Sequence, residues 1–149
     1  MSAFKTKDEI LTLLKEKGHR ITPQRVAIFD FVLSSKDHPT SENIYHAIKQ
    51  KYPSVSLATI YKNIHLLLEM GLISELKIEA QPARYDPNLL LHVNLICPKC
   101  HLIRDYESNI LNQIEEMLEK EIGENVELQR INVNSICETC ESVLQKKIE

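Results

Sequence analysis

Through the first seventy positions apolar residues return every three or four places, the spacing of helices with one buried face. Ile10, Leu11 and Leu14 line such a face, and Gly18 follows where a left-handed C-terminal cap belongs. Thr22-Pro23 puts a capping hydroxyl before a proline at the first helical position, with Val26, Phe29 and Leu33 next at helical spacing. Thr40 or Ser41 can cap a third helix carrying Ile44, Ala47 and Ile48, ending near Tyr52-Pro53. Ser56 can cap a fourth, with Ile60, Ile64, Leu67 and Leu68 inward and Gly71 as its stop. Leu72 to Ile78 and Ala83 to Asp86 then read as two short strands around Glu79-Ala-Gln-Pro82. Helices followed by a two-stranded flap predict a winged helix-turn-helix.

After Asp86 the pattern changes. Val93 to Cys97 and Leu102 to Tyr106 read as strands joined at Cys97-Pro-Lys-Cys100. Ser108 can cap a helix whose Ile110, Ile114, Met117 and Leu118 share a face and which closes at Gly123. Val126 and Leu128, then Ile131 and Val133, give a strand pattern with a one-residue phase slip that predicts a bulge. A short helix is expected after Cys140. Helices with a flap before Asp86-Pro87-Asn88 and mixed strands and helices after it predict an α+β chain of two parts, with that tripeptide as the linker.

Size and charge sharpen this division. A chain of 149 residues holds one ordinary domain or two small ones. The net charge of −3 hides a split: residues 1–85 carry twelve basic against nine acidic side chains, whereas residues 86–149 carry six against twelve. A basic front half and an acidic back half imply two modules with different partners, nucleic acid among those open to the first. No apolar run approaches the ~20 residues of a membrane helix. The start shows no apolar core or cleavage site of a signal peptide, so a cytoplasmic protein is expected.

All four cysteines fall in two Cys-x-x-Cys pairs, Cys97/Cys100 and Cys137/Cys140. Each pair can present two thiolates to one ion, and two such knuckles complete a tetrahedral zinc site. A disulfide framework does not suit a cytoplasmic chain. A thioredoxin-like redox pair would need one motif at a helix start and would leave the second unexplained; an iron–sulfur or rubredoxin-type site remains open. A four-thiolate zinc has no open position, so its role is structural, stapling a back domain of some 60 residues whose core is small.

The stretches "RITPQR" (20–25), "HPTSENIY" (38–45), "SLATIYKNIHLLLEMGLI" (56–73) and "RYD" (84–86), with the paired Cys-x-x-Cys, resemble the ferric uptake regulator (Fur) family of dimeric, metal-dependent repressors over nearly the whole chain. The resemblance implies a winged-helix DNA-binding domain at residues 1–85, a hinge at 86–91 and an α/β dimerisation and metal-binding domain with structural zinc at 92–149, working as a homodimer on an AT-rich inverted repeat of double-stranded DNA. The fourth helix would be the recognition element. Ser56, Thr59, Tyr61 and Lys62 fall at the family's contact positions, and Arg20 where a basic side chain approaches the minor groove. Such residues read base edges or neutralise phosphates.

The family's regulatory metal site maps onto His38, Asp86, His92, Asn94 and Asp105. Taken singly, His38 falls in an exposed loop, His92 begins a strand, and the acids read as ordinary surface charges. Together they would let one ion fix the arrangement of the two domains. Most relatives have histidine where this chain has Asn94. A carboxamide oxygen is a weaker ligand than imidazole, so the site favours Fe²⁺ or Mn²⁺ and selects less for Zn²⁺ or Cu²⁺. Alternatively water takes that position. Aspartate at 86 and 105 resembles the peroxide-sensing (PerR) branch, in which bound Fe²⁺ reacts with hydrogen peroxide and a ligand histidine is oxidised; the targets here would be His38 and His92. A further metal site of some relatives is not expected, since Leu91, Val93 and Gln129 occupy its positions. His65 and His101 receive no role. Two alternatives stay open: an iron, manganese or zinc uptake regulator that responds to occupancy, and a zinc-stapled protein–protein adaptor. No nucleophile–base pair or phosphate-binding glycine loop supports an enzyme.

Overall fold

Four hydroxyl caps start the four helices of the first unit. In the computed structural model, which describes residues 6–128 and 130–145, these helices are α1 (Lys7–Glu16), α2 (Pro23–Ser34), α3 (Ser41–Lys51) and α4 (Leu57–Glu69). Thr6, Thr22, Thr40 and Ser56 each accept a hydrogen bond from the backbone N–H three residues on, worth about 1 kcal/mol per cap. Between the two candidates for α3, Thr40 is the cap, and its own backbone N–H donates to Asn43 Oδ1. Gly18 and Gly71 sit at φ 74° and 63°. At Gly71, the Leu72 N–H reaches the Leu67 carbonyl and the Gly71 N–H reaches that of Leu68, the paired bonds of a left-handed helix stop.

The core of this unit gathers the inward faces of all four helices. Leu14, Ile28, Val32, Ile44, Ile60 and Leu67 are fully enclosed, each contributing roughly 1.5–3 kcal/mol of burial. On α2 the buried positions are Ile28, Phe29 and Val32, with Val26 and Leu33 half-buried. That helix is apolar on most sides, so spacing alone does not fix which face turns inward. The flap is β1 (Ser74–Leu76) and β2 (Arg84–Asp86), antiparallel with Ser74 opposite Asp86 and Leu76 opposite Arg84. It is shorter than the 72–78 and 83–86 expected. Leu72 and Ile73 are consumed as core residues after the helix stop, and Gln81 N–H closes onto the Ile78 carbonyl beside Ala80 at φ 56°.

The second unit, Leu90–Glu149, has β3 (Val93–Ile96), β4 (Ile103–Tyr106), α5 (Ile110–Ile122), β5 (Ile131–Asn134) and α6 (Glu138–Gln145). Its sheet has the order β4-β3-β5, with β3 antiparallel to β4 and parallel to β5. The face that Ile110, Ile114, Met117 and Leu118 share on α5 is partly covered, with Ile114 and Leu118 half-buried and Ile110 and Met117 exposed, and Leu111 is the buried residue. Two expectations are corrected. There is no bulged strand through Val126 and Leu128; their N–H groups donate instead to the carboxylates of Glu119 and Glu115 on α5 (3.2 and 2.9 Å), and β5 begins at Ile131. Finally, α6 starts before Cys140, so the Cys137–Cys140 pair opens that helix. Among the described residues no helix is long and apolar enough to cross a membrane.

Candidate metal centres and recognition helix

The first centre is built at the end of β3. Cys97 follows the strand directly, its N–H donating to the Leu102 carbonyl while His101 N–H returns to the Cys97 carbonyl (2.9 and 2.8 Å). His101 takes φ 59° to close this turn and is half-buried. Parallel pairing of β3 and β5 then carries the chain to Cys137, whose N–H points at the Cys97 sulfur (3.5 Å). All four sulfurs lie within 4.8 Å of one another, none in a disulfide.

The Cys100–Cys137 separation is 3.6 Å. That is far beyond a sulfur–sulfur bond and close to the ~3.8 Å edge of a tetrahedron with zinc–sulfur bonds of about 2.3 Å. Electrostatics agree. The Cys137 N–H lowers the Cys97 thiol to about 6. The side chains of Cys100 and Cys137 raise Cys140 to about 12. Cys100 is raised by Cys137 and Cys97 despite the Leu102 backbone, which acts the other way. Four thiols this close cannot all ionise without a cation among them, and the donor set fits zinc.

His38 and Asp86 come together in the first unit. Neither is a surface group: His38 is 1% and Asp86 0% exposed, correcting the exposed loop and the surface acid. The motifs around them explain why. Arg84 donates to the His38 carbonyl (3.4 Å), Tyr85 N–H to the Pro39 carbonyl (3.1 Å), and the Tyr85 hydroxyl meets Ser41 Oγ (3.2 Å). "RYD" thus clamps the start of "HPTSENIY" onto β2, which itself carries Asp86. His38 is held at φ 47°, a conformation that costs an ordinary residue roughly 1–2 kcal/mol. Its Nε2 stands 3.7 Å from Asp86 Oδ2, and Asp86 Oδ1 accepts from Asn88 N–H (2.8 Å).

His92, Asn94 and Asp105 come together in the second unit. The ladder sets Asn94 opposite Asp105. His92 Nδ1 is 2.7 Å from the Leu90 carbonyl, which can only accept, so the ring proton belongs on Nδ1. Its Nε2 lies 3.2 Å from Asn94 Oδ1 and 3.7 Å from Asp105 Oδ1. Three lone-pair atoms converge, with His92 and Asn94 fully buried. Such a cluster fits a divalent cation with mixed nitrogen and oxygen ligands.

Of the residues assigned to DNA, Tyr61 and Lys62 are exposed on α4, Tyr61 by 51%, and Thr59 is half-buried. The Ser56 hydroxyl accepts from Thr59 N–H (3.1 Å) and lies 2.9 Å from Thr59 Oγ1, so its first task is capping. Arg20 is exposed, and its carbonyl accepts from Arg25. Arg25 also donates to buried Asn63 of α4 (2.9 Å), a tie from the Arg20 segment to the helix that residue spacing does not reveal. Gln129 lies outside the described residues.

The family model for the ferric uptake regulator family matches residues 16–136. The peroxide-responsive repressor PerR of Staphylococcus epidermidis is 35% identical over 133 residues, 89% of each chain. The peroxide stress regulator of Campylobacter jejuni is 36% identical, with a TM-score of 0.71, over 89% of this chain and 99% of that one. The Helicobacter pylori ferric uptake regulator Fur, at 22% identity, shares the fold: its TM-score is 0.83 over 95% of this chain and 97% of that one. The α+β architecture, a winged helix-turn-helix followed by an α/β dimerisation domain, is common to them.

Proposed function

The chain belongs to the ferric uptake regulator family, and on that premise we propose that it is a homodimeric, metal-dependent transcriptional repressor that senses hydrogen peroxide. Cys97, Cys100, Cys137 and Cys140 hold a structural Zn²⁺. His38, Asp86, His92, Asn94 and Asp105 hold a regulatory Fe²⁺ or Mn²⁺, one ion drawing ligands from both sets. Occupancy favours the domain arrangement that places two recognition helices on an inverted repeat. Tyr61 and Lys62 face the DNA from α4, and Arg20 approaches the minor groove.

The observation that carries this reading is the burial of His38, Asp86, His92 and Asn94 with their donor atoms gathered toward carboxylates. Buried imidazole and carboxylate at such positions are costly unless a proton or metal joins them. Fe²⁺ held by these residues would supply redox catalysis for a two-electron oxidation in which hydrogen peroxide is the oxidant: a C–H of the His38 or His92 ring would become C–OH, and peroxide's second oxygen would leave as water. The altered ring is a poorer ligand, so the ion is lost and the operator released.

The second reading is an iron, manganese or zinc uptake regulator that responds to occupancy, and Asn94, an oxygen donor where most relatives have histidine, suits its iron and manganese forms. One experiment separates them. The purified dimer is loaded with Fe²⁺ or Mn²⁺, treated with stoichiometric peroxide, and examined by peptide mass and by gel shift against AT-rich inverted repeats. Peroxide sensing predicts a single-oxygen gain on His38 or His92 peptides and operator release with Fe²⁺ only. Intact peptides with DNA binding retained would leave occupancy as the signal. Absence of metal-dependent binding with either ion would favour the adaptor.

A further inference from the structure

Asn94 lies in the middle of a polar row that crosses the whole second sheet. On β4 its register partner is Asp105; on β5 its partner in the parallel ladder is Asn132. Asn94 is fully buried, whereas Asn132 is exposed. A carboxamide has one end that accepts and one that donates, and only the accepting end can bind a cation. Which end points at His92 therefore decides what the cluster can do. With the oxygen toward His92 Nε2, as here at 3.2 Å, the lone pairs of both residues converge on one point. With the NH₂ turned there instead, it would donate to that Nε2, since the ring proton sits on Nδ1 against the Leu90 carbonyl. The histidine and asparagine would then satisfy each other and leave the ion no ligand from either.

That flip breaks one contact unless the exposed Asn132 carboxamide turns with it. The Asn94 NH₂ donates to the Asn132 side-chain oxygen at 3.2 Å. A buried NH₂ demands an acceptor, and the parallel register puts this one directly beside it. We propose that Asn132 is a positioning residue that aims the Asn94 oxygen at the regulatory ion and so biases the site toward cations that favour oxygen ligands, Mn²⁺ and Fe²⁺, over Zn²⁺. The inference rests on the regulatory site proposed above and adds a residue outside its ligand set. Asn132 touches no ion; it acts through Asn94.

The test is a calorimetric titration of Mn²⁺ and of Zn²⁺ into the dimer with its thiolate site already filled, for wild type, Asn132→Leu, Asn132→Asp, Asn94→Leu and the Asn94→Leu/Asn132→Leu double variant. Asn132→Leu removes the acceptor and should weaken Mn²⁺ binding by roughly ten- to a hundred-fold, the usual effect of losing a residue that orients a ligand. Zn²⁺ should suffer less. Asn132→Asp keeps an acceptor and should retain Mn²⁺ affinity. In the Asn94→Leu background, Asn132→Leu should change nothing further, which a role in sheet stability alone would not produce; unfolding midpoints of the zinc-filled proteins check this directly. Wild-type affinity in Asn132→Leu, or additive losses in the double variant, overturns the proposal. Mn²⁺ binding that is the same in Asp105→Ala as in wild type would sink the regulatory-site reading, and this inference with it. Those outcomes are distinct.

Discussion

Replacing Cys97 by serine, or stripping zinc with a strong chelator, should melt the second unit and spare the first. The cores set the expectation. Among the described residues of the second unit the buried aliphatic side chains are Val93, Ile96, Ile103 and Leu111, together worth roughly 6–12 kcal/mol of gross burial at 1.5–3 each. The first unit gathers fifteen buried residues into one cluster. Four-thiolate zinc contributes about 10–16 kcal/mol of apparent binding free energy in small domains at neutral pH, as much as the second unit's whole apolar core. Its loss exceeds what that core can absorb. Helices α5 and α6 hold 13 and 8 residues against 10, 12, 11 and 13 in α1 to α4. Far-ultraviolet circular dichroism of the full chain should therefore lose about a third of its helical signal on chelation. The remainder should melt later in a separate transition, and limited proteolysis should leave a fragment ending near Leu89. Loss of the whole signal in one step, or no loss at all, would refute the reasoning.

Tyr85→Phe removes the hydroxyl that meets Ser41 Oγ and should cost about 1 kcal/mol in urea unfolding, together with a measurable loss of Mn²⁺ affinity. Unchanged Mn²⁺ affinity would mean the bond braces the winged helix without positioning His38. Lys62→Ala should weaken operator binding to a similar degree across sequences and lower the salt slope by about one; a sequence-selective loss measured by gel shift would instead mark Lys62 as a base reader.

The helices were legible because their signals are local. A hydroxyl at the N-caps of α2, α3 and α4, glycines at 18 and 71, and inward residues at 60, 64 and 67 need no tertiary information, whereas Ser108 reads as the cap of α5 and Asn109 stands there without a capping bond. The thiolate centre was legible for the same reason, since its spacing is written twice. On α5 the shared apolar stripe was legible but its degree of cover was not: Ile114 and Leu118 are half-buried while Ile110 and Met117 stay exposed, because a stripe alone does not say what packs against it. The segment at 126–128 alternates like a strand, but two glutamates from α5 take its N–H groups first. Asn132 was missed because its meaning depends on strand register. In sequence it is one of two asparagines in Ile-Asn-Val-Asn, and only the parallel alignment with β3 sets it beside Asn94.

In the proposed regulatory site, the clamp on His38 separates the residues that would bind from those that set how readily binding occurs. Arg84 and Tyr85 hold the backbone at His38 and Pro39, and the Tyr85–Ser41 hydroxyl contact braces that clamp while His38 sits at φ 47°. Substitutions among these three can therefore shift the concentration at which the cell's ion pool begins to register, with every coordinating side chain unaltered. Evolution could retune the set point by adjusting the bracket and leaving the ligands alone.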